Sequence, residues 1–247
     1  MSQTPGPNEP GPSTRVLVVE DEVPLASLVA SYLKREAFDV EAVGDGKAAI
    51  DLARSWHPEV IVLDLGLPGA DGIEVCRAVR TFSDCYVIML TARVEEIDTL
   101  VGLSVGADDY VAKPFSPREL TARVKAMMRR PRAASGAAGQ AAGTSNDVRQ
   151  VGGLTVDLTS REVSLDGEFV DLTRTEFDVL AVLISQPRRA FSRSQLLLEI
   201  WGRDWVGDAH LVDVHLGHIR RKIGDDASAP VFIQSVRGFG YRMGPGR

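Results

Sequence analysis

Short aliphatic runs recur along the first half of the chain: RVLVV (15–19), FDVEAV (38–43), EVIVLD (59–64), YVIML (86–90) and DYVA (109–112). Val/Ile/Leu runs bounded by turn residues predict strands buried on both faces. Between them lie PLASLVASYLKRE, GKAAIDLARS, DGIEVCRAVRT, EEIDTLVGLSV and SPRELTARVKAMMRR, whose apolar positions return every three or four residues, so helices are predicted there. Pro24 near the first helix start and Asp45 as the cap of the second fit helix-start chemistry. Five strands alternating with five helices predict an α/β fold, a doubly wound five-stranded parallel sheet.

The pattern changes after residue 148. LTVDL, REVSL and EFVDL alternate polar and apolar residues, and Asp166-Gly167 marks a hairpin turn between the last two. Three helical stretches follow. TRTEFDVLAVLISQP carries the capping pattern Thr173-x-x-Glu176 and a Pro187 stop, and SRSQLLLEIWG and DAHLVDVHLGHIRRKIG come next. VFIQSVRGFGYRM then supplies two β-rich runs around Arg237, Gly238, Phe239 and Gly240. The prediction is an α+β winged helix-turn-helix domain.

Between the two patterns, residues 131–148 are mostly small, polar and unpatterned, which predicts a flexible linker. The expected organisation is a disordered tail over 1–13, one domain over 14–130, the linker, and a second domain over 149–247. At 247 residues the chain is long enough for two cores. The tail has neither a basic start nor an apolar segment, unlike a signal peptide. No run of about eighteen apolar residues could span a bilayer, so a cytoplasmic protein is expected. Cys76 and Cys85 fit no metal or disulfide spacing and read as packing residues.

Charge refines the picture. The net charge of −6 argues against a protein coated in basic surface. Residues 1–130 hold 14 Lys+Arg against 20 Asp+Glu, whereas residues 131–247 hold 14 of each. The acidity therefore belongs to the first domain, and part of it falls at strand ends: Glu20 and Asp21 after RVLVV, and Asp64 after VIVL. Thr91 and Lys113 follow the fourth and fifth runs. A parallel sheet brings successive strand ends to one edge, so these five side chains can converge. Three carboxylates gathered together call for a cation, and an incomplete shell of hard oxygens suits Mg²⁺. Asp64 then becomes a candidate nucleophile toward a phosphoryl group, with Lys113 neutralising its oxygens.

EDE at 20–22, D-x-x-L-P-G-x-D-G at 64–72, LTA at 90–92 and KPF at 113–115 resemble the CheY-like receiver domain of bacterial two-component response regulators. The resemblance implies that Asp64 accepts phosphate from a sensor histidine kinase and that Asp21, Asp64 and the Gly66 carbonyl ligate Mg²⁺, with Glu20 acting through water. It makes Thr91 and Tyr110 the switch pair and implies a cis bond before Pro114. It also places Asp108, Asp109, Glu119, Arg123 and Arg130 at the interface of an activated homodimer.

In the second domain, Val212, Leu216, Ile219 and Ile223 recur at helical spacing and should face the core, leaving Val214, His218 and Arg221 pointing away. LTRTEFDVLAVL, IWG, VDVHLGHIRRKIG and SVRGFGYR resemble the winged-helix effector domain of OmpR/PhoB-type regulators. The resemblance makes His210, His215, Gly217, His218, Arg220 and Arg221 candidates on a recognition helix in the major groove, and Ser235 and Arg237 candidates in the wing. Family members often carry an Arg pair where this chain has Gly217 and His218. His210, His215 and His218 come with no further ligand set, so zinc is not expected.

The expected function is a phosphorylation-dependent, sequence-specific regulator that binds double-stranded promoter DNA, with RNA polymerase as a further partner, and that is not an enzyme. An aspartyl-phosphate phosphatase or mutase would need a second acid beside Asp64, and Leu65 and Gly66 supply none. The remaining alternative is a kinase-independent DNA-binding protein whose first domain is only a dimerisation scaffold.

Overall fold

The computed structural model describes residues 13–91, 106–128, 147–203, 205, 207 and 209–246. The expected N-terminal tail, the helix at 95–105, Arg130 and most of the linker lie outside these residues. The described residues form two compact units, one of 13–91 with 110–121 and one of 106–109 with 122–246.

The first is built on five parallel strands: β1 (Arg15–Val19), β2 (Asp39–Val43), β3 (Val60–Asp64), β4 (Tyr86–Thr91) and β5 (Asp109–Ala112), in the order β2-β1-β3-β4-β5. Order reverses between β1 and β3, and ligands of such sheets bind beyond the carboxyl ends of the strands at that switch point. The inner strands are sealed: Val16 to Val19 and Val60 to Leu63 are all at most 1% exposed. Each such side chain contributes about 1.5–3 kcal/mol on burial.

Helix α1 (Val23–Arg35) has a proline in its first turn, and it buries Ala26, Val29 and Leu33, spaced for one face. Helix α2 (Gly46–Trp56) starts at Asp45, whose carboxylate accepts from the Lys47 and Ala48 amides at 2.9 Å. Helix α3 (Gly72–Arg80) opens with a capping box between Asp71 and Glu74, and α4 spans Pro117–Met128.

C-terminal to α4 the chain forms a four-stranded antiparallel sheet, β6 (Val148–Val151), β7 (Leu154–Asp157), β8 (Glu162–Leu165) and β9 (Glu168–Phe169). Asp166 and Gly167 both have positive φ, at 52° and 86°, and Leu165 pairs with Glu168. That is the two-residue turn the Asp-Gly pair predicts. Helices α5 (Arg174–Ser185), α6 (Arg193–Trp201) and α7 (His210–Lys222) follow. A second sheet has the order β10 (Phe191–Ser192), β12 (Gly240–Met243), β11 (Ile233–Val236). Val236 pairs with Gly240, so Arg237, Gly238 and Phe239 form the hairpin tip.

Two strands escape the sequence pattern. β6 falls at the start of the second domain, where VRQV has too little apolar alternation to be read, and β10 is only two residues long.

Candidate functional site

Asp64 ends β3, and the loop beyond it is held against the strand by a close approach. Gly72 donates to the Leu65 carbonyl at 3.1 Å, and a Cβ at Gly72 would meet the Asp64 carbonyl oxygen at 2.3 Å, so only glycine fits. Glu20 follows β1, and its amide donates to the Val43 carbonyl of β2 at 3.0 Å. Ligand oxygens of Glu20, Asp21 and Asp64 lie within 4.8 Å of one another. Lys113, after β5, places its Nζ 2.8 Å from Glu20 and 3.0 Å from Asp64.

Electrostatics match the placement. Burial raises the Glu20 carboxyl above its ordinary value, and the Asp64 charge adds to the rise. Burial alone would lower the Lys113 ammonium, but hydrogen bonds and charge from Glu20 and Asp64 outweigh it and hold it above the usual lysine value. Three carboxylates with one ammonium leave excess negative charge, which suits a hard divalent cation bound through oxygen. Gly66 is exposed, and a Cβ placed there would lie 3.8 Å from an Asp64 carboxylate oxygen. Thr91 ends β4, fully buried, and its carbonyl accepts from the Lys113 amide at 2.7 Å. Tyr110 is buried on the neighbouring strand β5, and the Lys113–Pro114 peptide is cis.

In the second unit, α7 is packed by both α5 and α6. Val212, Leu216, Ile219 and Ile223 are buried as their spacing predicts. The expectation that Val214, His218 and Arg221 point away holds only for Arg221. Val214, His215 and His218 are buried: a helix gripped from two sides needs an apolar arc wider than one stripe, and His215 Nε2 also lies 3.1 Å from the Asp108 carbonyl oxygen. His215 lies 5.8 Å from the Trp201 ring of α6, and the His218 Nδ1 lies 3.4 Å from Glu176 of α5. The accessible strip of α7 is His210, Asp213, Gly217, Arg220 and Arg221.

Arg220 and Ser235, both expected at DNA, are bonded to one another. Arg220 Nη2 donates to Ser235 Oγ at 3.2 Å and to the Ile233 carbonyl at 2.8 Å. Arg237 is exposed at the hairpin tip.

Sequence reasoning missed one role of Glu176. Its carboxylate closes the α5 capping box, accepting from the Thr173 amide at 2.9 Å, and it also pairs with Lys222 Nζ at 2.7 Å. The capping pattern was readable, but its long-range partners were not. Glu176, His215 and His218 offer three donor atoms within 4.8 Å. With Lys222 already against the carboxylate, the cluster reads as a charge-compensated fastening of α7 to α5.

Residues 16–125 match the response regulator receiver domain, and residues 167–243 match the C-terminal domain of transcriptional regulatory proteins. The sensory transduction protein RegX3 of Mycolicibacterium smegmatis is 43% identical over 230 residues, which are 93% of this chain and 99% of that protein. The DNA-binding response regulator MtrA of the same organism is 39% identical over 231 residues, 94% and 97% of the two chains. The chain belongs to the two-component response regulators. A solved structure of a RitR mutant shares the fold, with a TM-score of 0.73 at 24% identity, covering 95% of this chain and all of that one.

As a response regulator, the chain combines a receiver with a winged-helix DNA-binding domain, and its family consists of transcription regulators and not classical enzymes. No helix among the described residues is long and apolar enough to cross a membrane. Arg123 and Asp109, placed by resemblance in salt bridges between copies, are paired within the chain, with Arg123 Nη1 3.0 and 2.9 Å from the two Asp109 oxygens. They share one receiver, Asp109 opening β5 and Arg123 lying on α4, so a single guanidinium nitrogen reaches both carboxylate oxygens without a second copy.

Proposed function

We propose that this response regulator is switched by phosphorylation of Asp64 and then binds promoter DNA in a sequence-specific manner. The observation that carries the reading is the Lys113 ammonium, 2.8 Å from Glu20 and 3.0 Å from Asp64. It marks the strand ends where a phosphoryl group gains from positive charge.

An Asp64 carboxylate oxygen attacks the phosphorus of a phosphohistidine on the sensor kinase. The new P–O bond forms as the P–N bond breaks, and the electron pair and a proton go to the leaving imidazole. Lys113 moves from its carboxylate partners toward the phosphoryl oxygens. Glu20, Asp21, Asp64 and the Gly66 carbonyl would hold Mg²⁺, which when bound neutralises charge on the transferring group. Later hydrolysis of the aspartyl phosphate returns the receiver to its starting state.

The phosphoryl group draws the Thr91 hydroxyl toward it, and Tyr110 fills the space left on the next strand. The face bearing Asp108, Asp109, Glu119, Arg123 and Arg130 then meets a second copy, with the Asp109–Arg123 pair exchanging partners across the dimer. Two tethered effector domains reach adjacent half-sites at raised effective concentration, and RNA polymerase is recruited or blocked there. Exposed Arg221 and Arg237, with His210 and Gly217, form the DNA-facing surface.

Intact mass after incubation with Mg²⁺ and a small-molecule phosphodonor tests the first step. One added phosphoryl group is expected in the wild type and none in Asp64→Asn. Equal modification of both chains would overturn the assignment of Asp64.

A further inference from the structure

Asp213 sits where a DNA-facing helix should carry no acid. It lies half-buried on the accessible strip of α7, and duplex DNA presents a negative charge about every 1.7 Å along its axis. Its bonds account for its presence. Asp213 Oδ1 accepts from Arg193 Nε at 2.8 Å and from the Tyr241 hydroxyl at 2.7 Å, and Oδ2 accepts from Arg193 Nε at 3.0 Å. Arg193 Nη2 completes the triangle by donating to the Tyr241 hydroxyl at 3.2 Å. Burial and the Asp213 charge both raise the Tyr241 phenol, so it stays a donor.

Three elements meet at this carboxylate: α7, the first turn of α6, and β12 of the hairpin. Arg220, two helical turns along α7, fastens the same hairpin through Ile233 and Ser235, and its guanidinium lies 5.7 Å from the Tyr241 ring centroid. The hairpin is therefore tied to α7 at two points on one face. A helix and a hairpin tip that must enter neighbouring grooves lose less freedom on binding if their offset is already fixed.

We propose that Asp213 is a positioning residue for DNA recognition, which through Arg193 and Tyr241 locks the hairpin bearing Arg237 onto α7 so that the two read DNA as one rigid unit. This rests on the sequence-specific reading of the C-terminal domain. Asp213 acts through its partners and contacts no base; Arg193 cancels its charge.

The sign of one effect tests the clamp. By charge alone, removing an acid from a DNA-facing strip tightens binding to every duplex. The clamp predicts the opposite for the chosen sequence. Binding is measured on the full chain, treated with Mg²⁺ and a small phosphodonor, to a duplex selected by the wild type from a random-sequence pool and to an unrelated duplex of equal length. Asp213→Asn and Tyr241→Phe should each weaken binding to the selected duplex about tenfold, with the unrelated duplex bound at least as tightly. If thermal unfolding shows that Asp213→Asn does not fold, Tyr241→Phe decides, since it removes one oxygen and no charge. Unchanged or tighter binding of the selected duplex by the folded variants overturns the clamp. A wild-type chain that selects no duplex overturns the sequence-specific reading instead.

Discussion

Lys222 Nζ lies 2.7 Å from Glu176 Oε2, joining the last turn of α7 to the first turn of α5 across 46 positions of sequence. The pair is asymmetric: the Glu176 side chain is 1% exposed and the Lys222 side chain 32%. Removing either partner should therefore cost different amounts. Glu176→Gln keeps a cap acceptor for Thr173 and lets the ammonium turn to water, costing about 1 kcal/mol. Lys222→Met strands a buried carboxylate and should cost more, about 2 kcal/mol. Urea unfolding of the two full-length variants gives the order, and a larger loss in Glu176→Gln would contradict this reading.

The same region should make the chain sensitive to acid. Burial holds the His215 imidazole down at about 4, below its ordinary 6.5. A folded value below the unfolded one means stability is complete above about pH 6.5 and is lost as the pH falls toward 4, because the unfolded chain takes up the proton first. The full window corresponds to about 3 kcal/mol. Glu176 continues the trend: although burial opposes it, His218 and Lys222 hold its carboxyl at about 2, so its contribution is present above about 4.5 and is lost below. Unfolding midpoints should stay level from pH 7.5 to about 6.5 and fall from there to pH 4, and His215→Phe should flatten the upper part of that fall. A wild-type midpoint that stays level from pH 6.5 to 4 would refute the burial argument.

Gly217 offers a cleaner separation of stability from binding. A Cβ placed there meets nothing within 4 Å, so the fold does not require glycine at this position. Gly217→Ala should raise stability by about 1 kcal/mol through helix propensity alone. If the bare backbone serves close approach to DNA, the same variant binds a selected duplex more weakly, which titration by fluorescence anisotropy reads. Unchanged affinity would leave the glycine with no role in approach.

How far the sequence reaches can be followed through these residues. The parallel strands were legible because a strand buried on both faces writes itself as an unbroken aliphatic run, and Asp45, Thr173 and Asp166-Gly167 carry local chemistry that needs no distant partner. The gathering of Glu20, Asp64 and Lys113 followed from the rule that parallel strand ends share an edge. β6 was missed because an edge strand such as VRQV buries too little to show a pattern. Periodicity reports one stripe of α7, whereas α5 and α6 bury a broader arc that takes in His218, and His215 meets the distant Asp108 carbonyl. The bonds of Glu176, Asp213, Arg220 and Ser235 join residues distant in sequence, and only the packed domain reveals them.

Thr91 separates phosphorylation from its consequence. Thr91→Ala leaves Asp64 and Lys113 in place, so intact mass should still show phosphoryl uptake, while the gain in DNA affinity that accompanies it in the wild type should be lost. A full gain in Thr91→Ala would remove Thr91 from the switch.

The central claim, that phosphorylation at Asp64 controls DNA binding, is tested most directly by one titration. Affinity of the full chain for a duplex selected from genomic fragments is measured with and without Mg²⁺ plus a small phosphodonor, for the wild type and for Asp64→Asn. The account predicts tighter binding on phosphodonor treatment in the wild type and no change in Asp64→Asn; an unchanged wild type, or an equal gain in Asp64→Asn, would contradict it.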